Sequence, residues 1–550
     1  MSFNKNTIYF IVIFAFIIRI VGASIVPPSL NWDEVSHAFN AYSVLHTGKD
    51  EWGNVLPLIF RAYGDYKLPV YIYLTAISQL LLGLSIVSAR LPSILAGVGL
   101  VYFTYLLSKR LFNNINVGVI SAFLVVLEPW SFFTSRGAFE ANVAIFLIVA
   151  AAYFFLISLE NKYKLLLVSL VLFGLSVWTY NSARIFAPLL LLLLTVLYRK
   201  ELTKILKGGI AKFGVLLVLL LFFVPMFLQL INPIGTARYE NVQIINDGVI
   251  AGIEEKRNSS VLPSPLPKLL FNRPIYLVEQ VGKNYLSHFL PDFLFINGSS
   301  DYQFSVPNWG VLYLVNLPLF YIGLYLSIKN FKNKNYKLVL IWLLLAPLAS
   351  SITKESPHVL RSITMLPMPM ILVAVAVTKK TKNLLYYMLA VVLFFVAYLF
   401  TYYQSYRSNY SWSWQYGYEQ AVSYIKENYD EYDNVIVNKK YGEPHEFVLY
   451  YWPWNPREYR EDANLKRYYQ SNWYWVDRFD KFYFVNDWEV PKFGSIFVTE
   501  SGETLSCHTK KCLLVTSPSN RPLGWTNVET IKFLNGDIAF EIYENKDTGN

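Results

Sequence analysis

Long apolar runs separated by short clusters of lysine and arginine constrain the fold of this chain more than any other feature. The stretches 165–177, 188–197 and 215–230 contain no charged residue. Charged residues make up 16% of the sequence, whereas a soluble protein averages about 25%. About 20 consecutive apolar residues span a bilayer as a helix. The chain is therefore predicted to be an α-helical polytopic membrane protein.

Hydropathy predicts eleven spans and leaves one further apolar segment, 69–86, open. The first span has no obvious cleavage site, so we expect it to be a retained helix rather than a signal peptide. The predicted spans are residues 7–26, 91–111, 115–130, 139–158, 163–180, 184–198, 213–231, 307–328, 336–352, 362–378 and 383–403.

The positions of lysine and arginine predict the orientation, because cytoplasmic loops carry an excess of these residues. If 69–86 does not cross and the N-terminus is cytoplasmic, every dense cluster between spans lies inside, including those at 199–212 and 329–337. We therefore predict that 69–86 is a re-entrant or membrane-lying helix in the first outer loop. The outer face then carries the region after about residue 404 and four loops, which are 27–90, 131–140, 232–306 and 353–361.

The composition changes after residue 404, where charged and turn-forming residues return. We predict a membrane domain over 1–403 and a small extracytoplasmic α/β domain over 404–550, with no recognisable catalytic motif. An amphipathic helix is predicted at 415–428, and Asn535-Gly536 predicts a β-hairpin. Strands are predicted at 434–438, 447–451, 481–485 and 495–499.

Two further features of composition bear on partners and redox state. The net charge of +10 is distributed among the loop clusters rather than in one patch, so no nucleic-acid partner is expected. Cys507 and Cys512 are the only cysteines. An extracytoplasmic location would permit a disulfide between them, and two unpaired thiols are the alternative.

Acidic and basic side chains gather in the predicted outer loops. Asp33 and Glu34 follow the first span, Lys67 precedes the segment 69–86, and Arg361 precedes a late span. A charge at the centre of a membrane helix costs about 2.5–3.5 kcal/mol, so ionisable groups at the ends of spans indicate a polar cavity at the membrane surface.

These residue types suit the transfer of a glycosyl group from a lipid phosphate. Asp33 offers a carboxylate that can accept the proton of an acceptor hydroxyl. Lys67 and Arg361 offer cations for a phosphate leaving group, and apolar helices offer a surface for a lipid tail. A transporter or flippase, or a binding protein, for lipid-linked sugars could use the same cations. Transport would require polar residues deep in many spans, and these spans are mostly apolar.

The order and spacing of several segments resemble the membrane glycosyltransferases of the GT-C fold. The resemblance is to the branch that includes protein O-mannosyltransferases and lipid A aminoarabinose transferases, and it covers about residues 1–400. The segments are Trp32-Asp33-Glu34, Asp65-Tyr66-Lys67-Leu68-Pro69, Ala89-Arg90-Leu91-Pro92-Ser93-Ile94-Leu95-Ala96-Gly97, Ser135-Arg136-Gly137-Ala138-Phe139-Glu140-Ala141-Asn142, Tyr180-Asn181-Ser182-Ala183-Arg184 and Pro357-His358-Val359-Leu360-Arg361.

The resemblance implies a role for each matching residue. Asp33 would be the base that deprotonates the acceptor, and Glu34 would orient it or contact the sugar. Lys67 would lie near the donor phosphate, and Glu140 would be a second acid. Further contacts to the phosphate or sugar would come from Arg136, Arg184, His358 and Arg361. The donor would be a polyprenyl-monophosphate sugar, the anomeric centre would invert, and the acceptor would be a protein, lipid or polysaccharide at the cell membrane.

Two other sequence features are weaker. His37 stands near Asp33 and Glu34, but three candidate ligands in one loop do not define a metal site, so no cofactor is assigned and a divalent metal ion stays open. The segment Ser413-Trp414-Gln415-Tyr416-Gly417 resembles the Trp-Trp-Asp-Tyr-Gly signature of oligosaccharyltransferases. Gln415 replaces its acid, so we interpret the segment as an interfacial aromatic belt and disfavour oligosaccharide transfer to asparagine.

Overall fold

The computed structural model describes residues 3–232, 239–381, 383–470 and 473–545. It divides the chain into two compact units that alternate along the sequence. The first unit comprises Met1–Val21 and Ser93–Leu399, and the second comprises Gly22–Pro92 and Phe400–Asn550. The second unit thus combines the predicted first outer loop with the C-terminal region. The sequence had predicted two consecutive domains over 1–403 and 404–550, without this grouping.

The first unit is built from helices. Asn114 illustrates how they begin, because its side chain accepts hydrogen bonds from the backbone N–H groups of Asn116 and Val117 at a helix start. Helices Ile86–Phe112 and Leu384–Thr401 each contribute to both units. The other α-helices described in the first unit are Thr7–Ile20, Ile115–Leu127, Pro129–Thr134, Glu140–Ser158, Tyr163–Val177, Asn181–Leu197, Arg199–Ile205, Gly209–Leu230, Asp247–Asn258, Leu266–Leu270, Arg273–Ser287, Leu317–Lys329, Lys334–Leu345, Leu348–Ser351 and Met368–Lys380.

Several of these helices have the length and composition of membrane spans, and the chain is a multi-pass membrane protein. Among the described residues five helices qualify, or six if Asn181–Leu197 and Arg199–Ile205, bent by 87°, form one span. The five are Ile86–Phe112, Glu140–Ser158, Gly209–Leu230, Ile363–Lys380 and Leu384–Asn409. Shorter apolar helices are Thr7–Ile20, Pro69–Leu82, Ile115–Leu127, Tyr163–Val177 and Leu314–Lys329.

The first-loop part of the second unit contains two helices joined by a small hairpin. Helix Trp32–Thr47 begins with a capping box, in which Asn31 and Glu34 exchange side-chain to backbone hydrogen bonds of 2.9 and 3.1 Å. Strands β1 (Phe60–Arg61) and β2 (Tyr66–Lys67) pair antiparallel. Proline at its first turn starts helix Pro69–Leu82.

The two sides of helix Pro69–Leu82 differ in burial. Tyr71, Ile72 and Gln79 are buried, whereas Leu80 and Leu81 on another face are exposed. Its 14 residues extend about 21 Å, which is less than the roughly 30 Å of a bilayer's hydrocarbon core. Helices Thr7–Ile20 and Ile115–Leu127 are no longer, so length alone does not decide whether this segment crosses.

The C-terminal region forms a mixed sheet flanked by helices. The strands are β3 (Asn434–Asn438), β4 (Lys466–Gln470), β5 (Trp473–Phe479), β6 (Phe482–Val485), β7 (Ile496–Val498), β8 (Thr504–Ser506), β9 (Cys512–Thr516), β10 (Thr526–Lys532) and β11 (Ile538–Glu544). Seven of them form one sheet in the order β10-β11-β9-β3-β6-β5-β4, and β7 pairs with β8 separately. The central strand, β3, pairs in parallel with both β6 and β9, and the remaining strand pairs of the sheet are antiparallel. Helices in this region are Arg407–Asn409, Tyr418–Glu427, Pro444–Tyr451 and Pro456–Glu461.

Most of the predicted C-terminal elements are present, and one prediction is wrong. The hairpin of β10 and β11 turns at Asn535-Gly536, where Gly536 has a φ of 94°. Residues 447–451 belong to helix Pro444–Tyr451 instead of a strand. Phe447, Val448 and Leu449 are all buried, so the helix shows a continuous apolar run that has no visible periodicity.

One hydrophobic core of the second unit contains residues from both of its chain segments. Leu30, Val35 and Phe39 belong to the same buried cluster as Val435 and Phe482. Because burying each such side chain contributes about 1.5–3 kcal/mol, the first-loop helix and the sheet stabilise each other.

The two cysteines form a disulfide between Cys507 and Cys512. Closing a loop of this size contributes about 2 kcal/mol in the chain-entropy model. We expect a Cys507→Ser/Cys512→Ser double variant of the full chain to lose about 2 kcal/mol of unfolding free energy, measured by denaturant unfolding in detergent. Wild type treated with reductant is the control and should match the variant; equal stability of oxidised wild type and variant would contradict this contribution.

Candidate functional site

Asp33 and Lys67 form an ion pair in the second unit. Asp33 lies in the first turn of helix Trp32–Thr47, where the helix dipole stabilises a negative charge. Lys67 lies on β2, immediately before helix Pro69–Leu82. The side chain of Asp33 is 48% exposed and that of Lys67 is 10% exposed. The pair therefore presents an accessible carboxylate beside a largely buried ammonium group.

Glu34 makes a different ion pair, with Arg90. The Arg90 guanidinium donates to Glu34 Oε1 from Nε and to Oε2 from Nη2, each at 2.9 Å. Both side chains are at most 1% exposed. Arg90 also donates to the carbonyl oxygens of Ala23, Pro27 and Ser29. The pair thus fixes the chain that leads into the helix carrying Asp33.

Arg90 was not among the candidate residues predicted from the sequence. It is an ionisable residue near the start of a predicted span, and such residues are rare unless they are paired or functional. That signal could have identified it, although nothing in the sequence indicates Glu34 as its partner.

Gln415 connects the C-terminal region to the start of the same helix. Its side chain accepts a hydrogen bond from the Trp32 backbone N–H at 2.8 Å and donates to the Tyr441 carbonyl at 2.6 Å. The neighbouring Trp414 is buried, with its ring 5.6 Å from the Arg90 guanidinium carbon. The segment interpreted as an aromatic belt therefore also helps to position the helix that carries Asp33.

His37 lies one turn after Asp33 and is buried against Tyr71, with ring centroids 5.2 Å apart. Burial, together with the charge of Lys67, lowers the pKa of His37 to about 3. The imidazole is therefore neutral at physiological pH. It adds no second positive charge beside Lys67.

A buried acidic cluster lies in the same unit and was missed by the sequence analysis. It contains Glu51 from the first loop, Glu443 immediately before helix Pro444–Tyr451, and Glu446 in the first turn of that helix. Burial raises the pKa of Glu443 to about 8. Burial also raises the pKa of Glu446 well above its usual value, and the charge of Glu51 adds to that effect. Lys67 lies close enough to act in the opposite direction on Glu446. Nothing local in the sequence brings these residues together.

In the first unit, His358 and Arg361 lie in one loop. His358 Nδ1 accepts hydrogen bonds from the backbone N–H groups of Leu360 and Arg361 at 3.2 and 3.3 Å. Arg361 donates to Glu355 Oε2 at 2.9 Å and to Thr353 Oγ1 at 3.0 Å. The loop thus holds a cationic side chain with acidic and hydroxyl partners.

The remaining predicted residues of the first unit occupy separate positions. Arg136 donates to the carbonyl oxygens of Ile18, Arg19 and Val21, at the C-terminal end of the first helix. This contact gives Arg136 a role in holding the backbone of the first unit. Glu140 is the first residue of helix Glu140–Ser158.

Arg184 is largely buried near the start of helix Asn181–Leu197. It bonds to the side chain of Gln229 and to the Val177 carbonyl. The guanidinium of Arg184 thus contacts two other residues of the first unit.

Residues 67–228 match the protein-family model described as dolichyl-phosphate-mannose-protein mannosyltransferase. This match confirms the family resemblance indicated by the sequence segments. Curated protein sequences give no significant match.

Solved structures similar to this chain include ArnT from Cupriavidus metallidurans bound to undecaprenyl phosphate, with 13% identity, a TM-score of 0.49 and coverage of 99% of each chain. The apo Archaeoglobus fulgidus oligosaccharyltransferase has 14% identity and a TM-score of 0.47, with 81% of this chain and 64% of that chain covered. The S. cerevisiae Pmt1-Pmt2 protein O-mannosyltransferase complex has 20% identity and a TM-score of 0.33, with 48% and 38% covered. The chain thus spans less than two thirds of the archaeal enzyme's length.

Proposed function

We infer that this chain, whose residues 67–228 match the model of the dolichyl-phosphate-mannose-protein mannosyltransferase family, is a membrane glycosyltransferase that takes its sugar from a lipid-phosphate carrier. The observation that carries the proposal is the ion pair of Asp33 and Lys67. An exposed carboxylate beside an ammonium group offers the two functions that such a transfer requires.

The reaction we propose is a single displacement with inversion. Asp33 takes the proton of an acceptor hydroxyl while the hydroxyl oxygen forms a bond to the anomeric carbon. The bond between that carbon and the phosphate oxygen of the carrier breaks, and its electron pair leaves with the polyprenyl phosphate. The ammonium group of Lys67 stabilises the negative charge that develops on the leaving phosphate.

The ion pair also prepares Asp33 for this role. The positive charge of Lys67 and the dipole of helix Trp32–Thr47 both attract the carboxylate and hold it at the start of the helix. Glu34, held by Arg90, positions the turn that carries Asp33 rather than exchanging a proton.

The residues of the first unit have proposed roles that derive from the family resemblance. We propose Glu140 as a second acid near the sugar, and we propose phosphate or sugar contacts for the basic residues of this unit. Among these, Arg361 suits such a contact because its acidic partner Glu355 is largely exposed, and a phosphate can take the place of that carboxylate. The other basic residues are Arg136, Arg184 and His358.

The topology we propose is of the GT-C type, with eleven crossings, a cytoplasmic N-terminus and an extracytoplasmic C-terminal region. It rests on the lysine and arginine clusters, which all become cytoplasmic if helix Pro69–Leu82 stays on the outer face. Accessibility of single introduced cysteines at residues 49 and 332 to an impermeant reagent tests this orientation.

The activity is tested by incubating the purified chain in nanodiscs with a panel of radiolabelled polyprenyl-phosphate sugars and a membrane extract as acceptor. Release of polyprenyl phosphate together with transfer of label is the expected result. Movement of intact carrier between the leaflets of proteoliposomes, without release of phosphate, would instead establish the transporter alternative. Binding of a carrier with neither outcome would indicate a binding protein.

Lys67→Met should weaken donor binding about 10- to 150-fold, because a charged hydrogen bond contributes about 1.5–3 kcal/mol. The matched control is Lys466→Met, whose ammonium group is exposed and lies 3.5 Å from Glu503. We would measure the dissociation constant by competition with labelled polyprenyl phosphate. Equal affinities in both variants and wild type would remove Lys67 from the donor site.

A further inference from the structure

A group of potential metal ligands lies in the second unit, close enough to Lys67 for its charge to act on Glu446. Glu51, His445 and Glu446 each offer one ligand atom, and these atoms lie within 4.8 Å of one another. All three side chains are at most 1% exposed. Glu51 comes from the first-loop segment, and the other two come from helix Pro444–Tyr451.

Several atoms of this cluster lack a hydrogen-bond partner within the described part of the chain. They are Nε2 of His445, both carboxylate oxygens of Glu446 and Oε1 of Glu51, and the carboxyl groups of Glu51 and Glu446 lie close enough to each other to share a proton. Burying polar atoms without partners is costly, and burying carboxylates costs still more. Three such side chains directed at one point therefore indicate that a positively charged ligand belongs there.

The charges of Arg467, Lys439 and Lys67 reach this cluster. Arg467 Nη2 lies 3.9 Å from Glu51 Oε1, and its guanidinium packs over the Trp52 ring at 4.1 Å. Lys439 is engaged by Asp477 at 2.7 Å. A bound cation would favour the ionised carboxylates of Glu51 and Glu446 over the protonated forms that burial favours without it.

The surroundings of His445 resemble those of a metal-binding histidine. Its Nδ1 lies 3.8 Å from Glu443 Oε2, so the ring places its other nitrogen, Nε2, away from that carboxylate. Trp473 Nε1 donates to Glu443 Oε1 at 2.9 Å and holds the carboxylate in place. A histidine that binds a metal through one nitrogen usually donates its other N–H to a carboxylate, which fixes the orientation of the ring.

We propose that Glu51, His445 and Glu446 bind one divalent transition-metal ion, with Glu443 orienting His445. An imidazole nitrogen with two carboxylate oxygens is a donor set that suits Zn²⁺ and its neighbours better than Mg²⁺ or Ca²⁺, which prefer oxygen alone. Zn²⁺ binds such ligands at about 2.0–2.2 Å.

The ion would connect the two chain segments of the second unit. It would tie Glu51 of the first loop to the helix behind the sheet, and so stabilise the unit that holds Asp33 and Lys67. This inference does not depend on the proposed transferase activity, because metal binding and stability are measured without any sugar donor.

The test uses the full chain, stripped with a chelator and reloaded with Zn²⁺ in detergent. We expect one equivalent of zinc per chain after desalting and a higher melting temperature than the stripped protein. Glu446→Gln and His445→Gln should lose the stoichiometric ion and the zinc-dependent rise. Glu458→Gln, an exposed acid on helix Pro456–Glu461, is the control and should retain both. A wild-type chain that binds no zinc, or variants that keep the ion, would overturn the site.

If the variants at these buried positions do not fold, a second measurement on the wild type tests the proposed metal site. Zinc-edge X-ray absorption of the loaded wild type should show a nitrogen and oxygen shell with one imidazole. A shell without imidazole, or with more than one, would refute the proposed ligand set.

Discussion

Asp33→Asn lowers the rate of glycosyl transfer about 10²- to 10⁴-fold while the lipid carrier still binds: this is the largest effect on activity that we expect. Asparagine keeps the size of the side chain and an oxygen that can accept the hydrogen bond of Lys67. It cannot accept a proton from the acceptor hydroxyl. Because Asp33 is half exposed at a helix start, the substitution leaves the core of the second unit intact.

The measurement is single-turnover release of polyprenyl phosphate, with carrier affinity determined in parallel. Asp430→Asn, an exposed aspartate of the C-terminal region, is the control and should turn over like wild type. Unchanged turnover in Asp33→Asn would exclude Asp33 as the base. A loss of carrier binding equal to the loss of turnover would assign it to donor binding instead.

The largest effect on stability is expected at Arg90. Arg90→Gln leaves the buried carboxylate of Glu34 without its bidentate partner and three backbone carbonyls with fewer donors. Breaking a buried ion pair by removing one partner costs about 3–5 kcal/mol, because the remaining charge is not compensated. We expect the unfolding free energy of the full chain to fall by that amount.

Denaturant unfolding in detergent measures this loss. Arg457→Gln is the matched control, because Arg457 pairs with Glu461 on an exposed helix with both side chains more than 60% exposed. Such a surface pair contributes about 0.2–1 kcal/mol. The double variant Arg90→Gln/Glu34→Gln should be less destabilised than the sum of the single variants, since neither charge is then left alone. Additive losses, or an effect at Arg90 no larger than at Arg457, would contradict the buried pair.

The sequence placed Asp33 and Lys67 in one loop and assigned them complementary charges, but it could not pair them. Their contact depends on β1 and β2, which turn the chain back before helix Pro69–Leu82. Strands of two residues have no periodicity that a pattern can detect. In the same way, Glu34 was expected beside the reacting groups, and only the packed structure engages it with Arg90.

The C-terminal region shows the same division between local and non-local information. The Asn535-Gly536 hairpin follows from the backbone preference of two adjacent residues, and the prediction is confirmed. Residues 447–451 were misassigned because their burial on all sides depends on neighbours far away in the chain. The cluster of Glu51, His445 and Glu446 left no sequence signal at all.

The sequence by itself determined the class of the protein. Span length, apolar composition and the distribution of lysine and arginine are properties of individual segments of the chain and of their order. Those properties predicted a multi-pass membrane protein, and short motifs indicated its family. Only the tertiary structure decided that Gly22–Pro92 packs into one unit with Phe400–Asn550. The physical reason is that burial and charge pairing are set by which distant segments exclude water together, and a linear pattern does not contain that information.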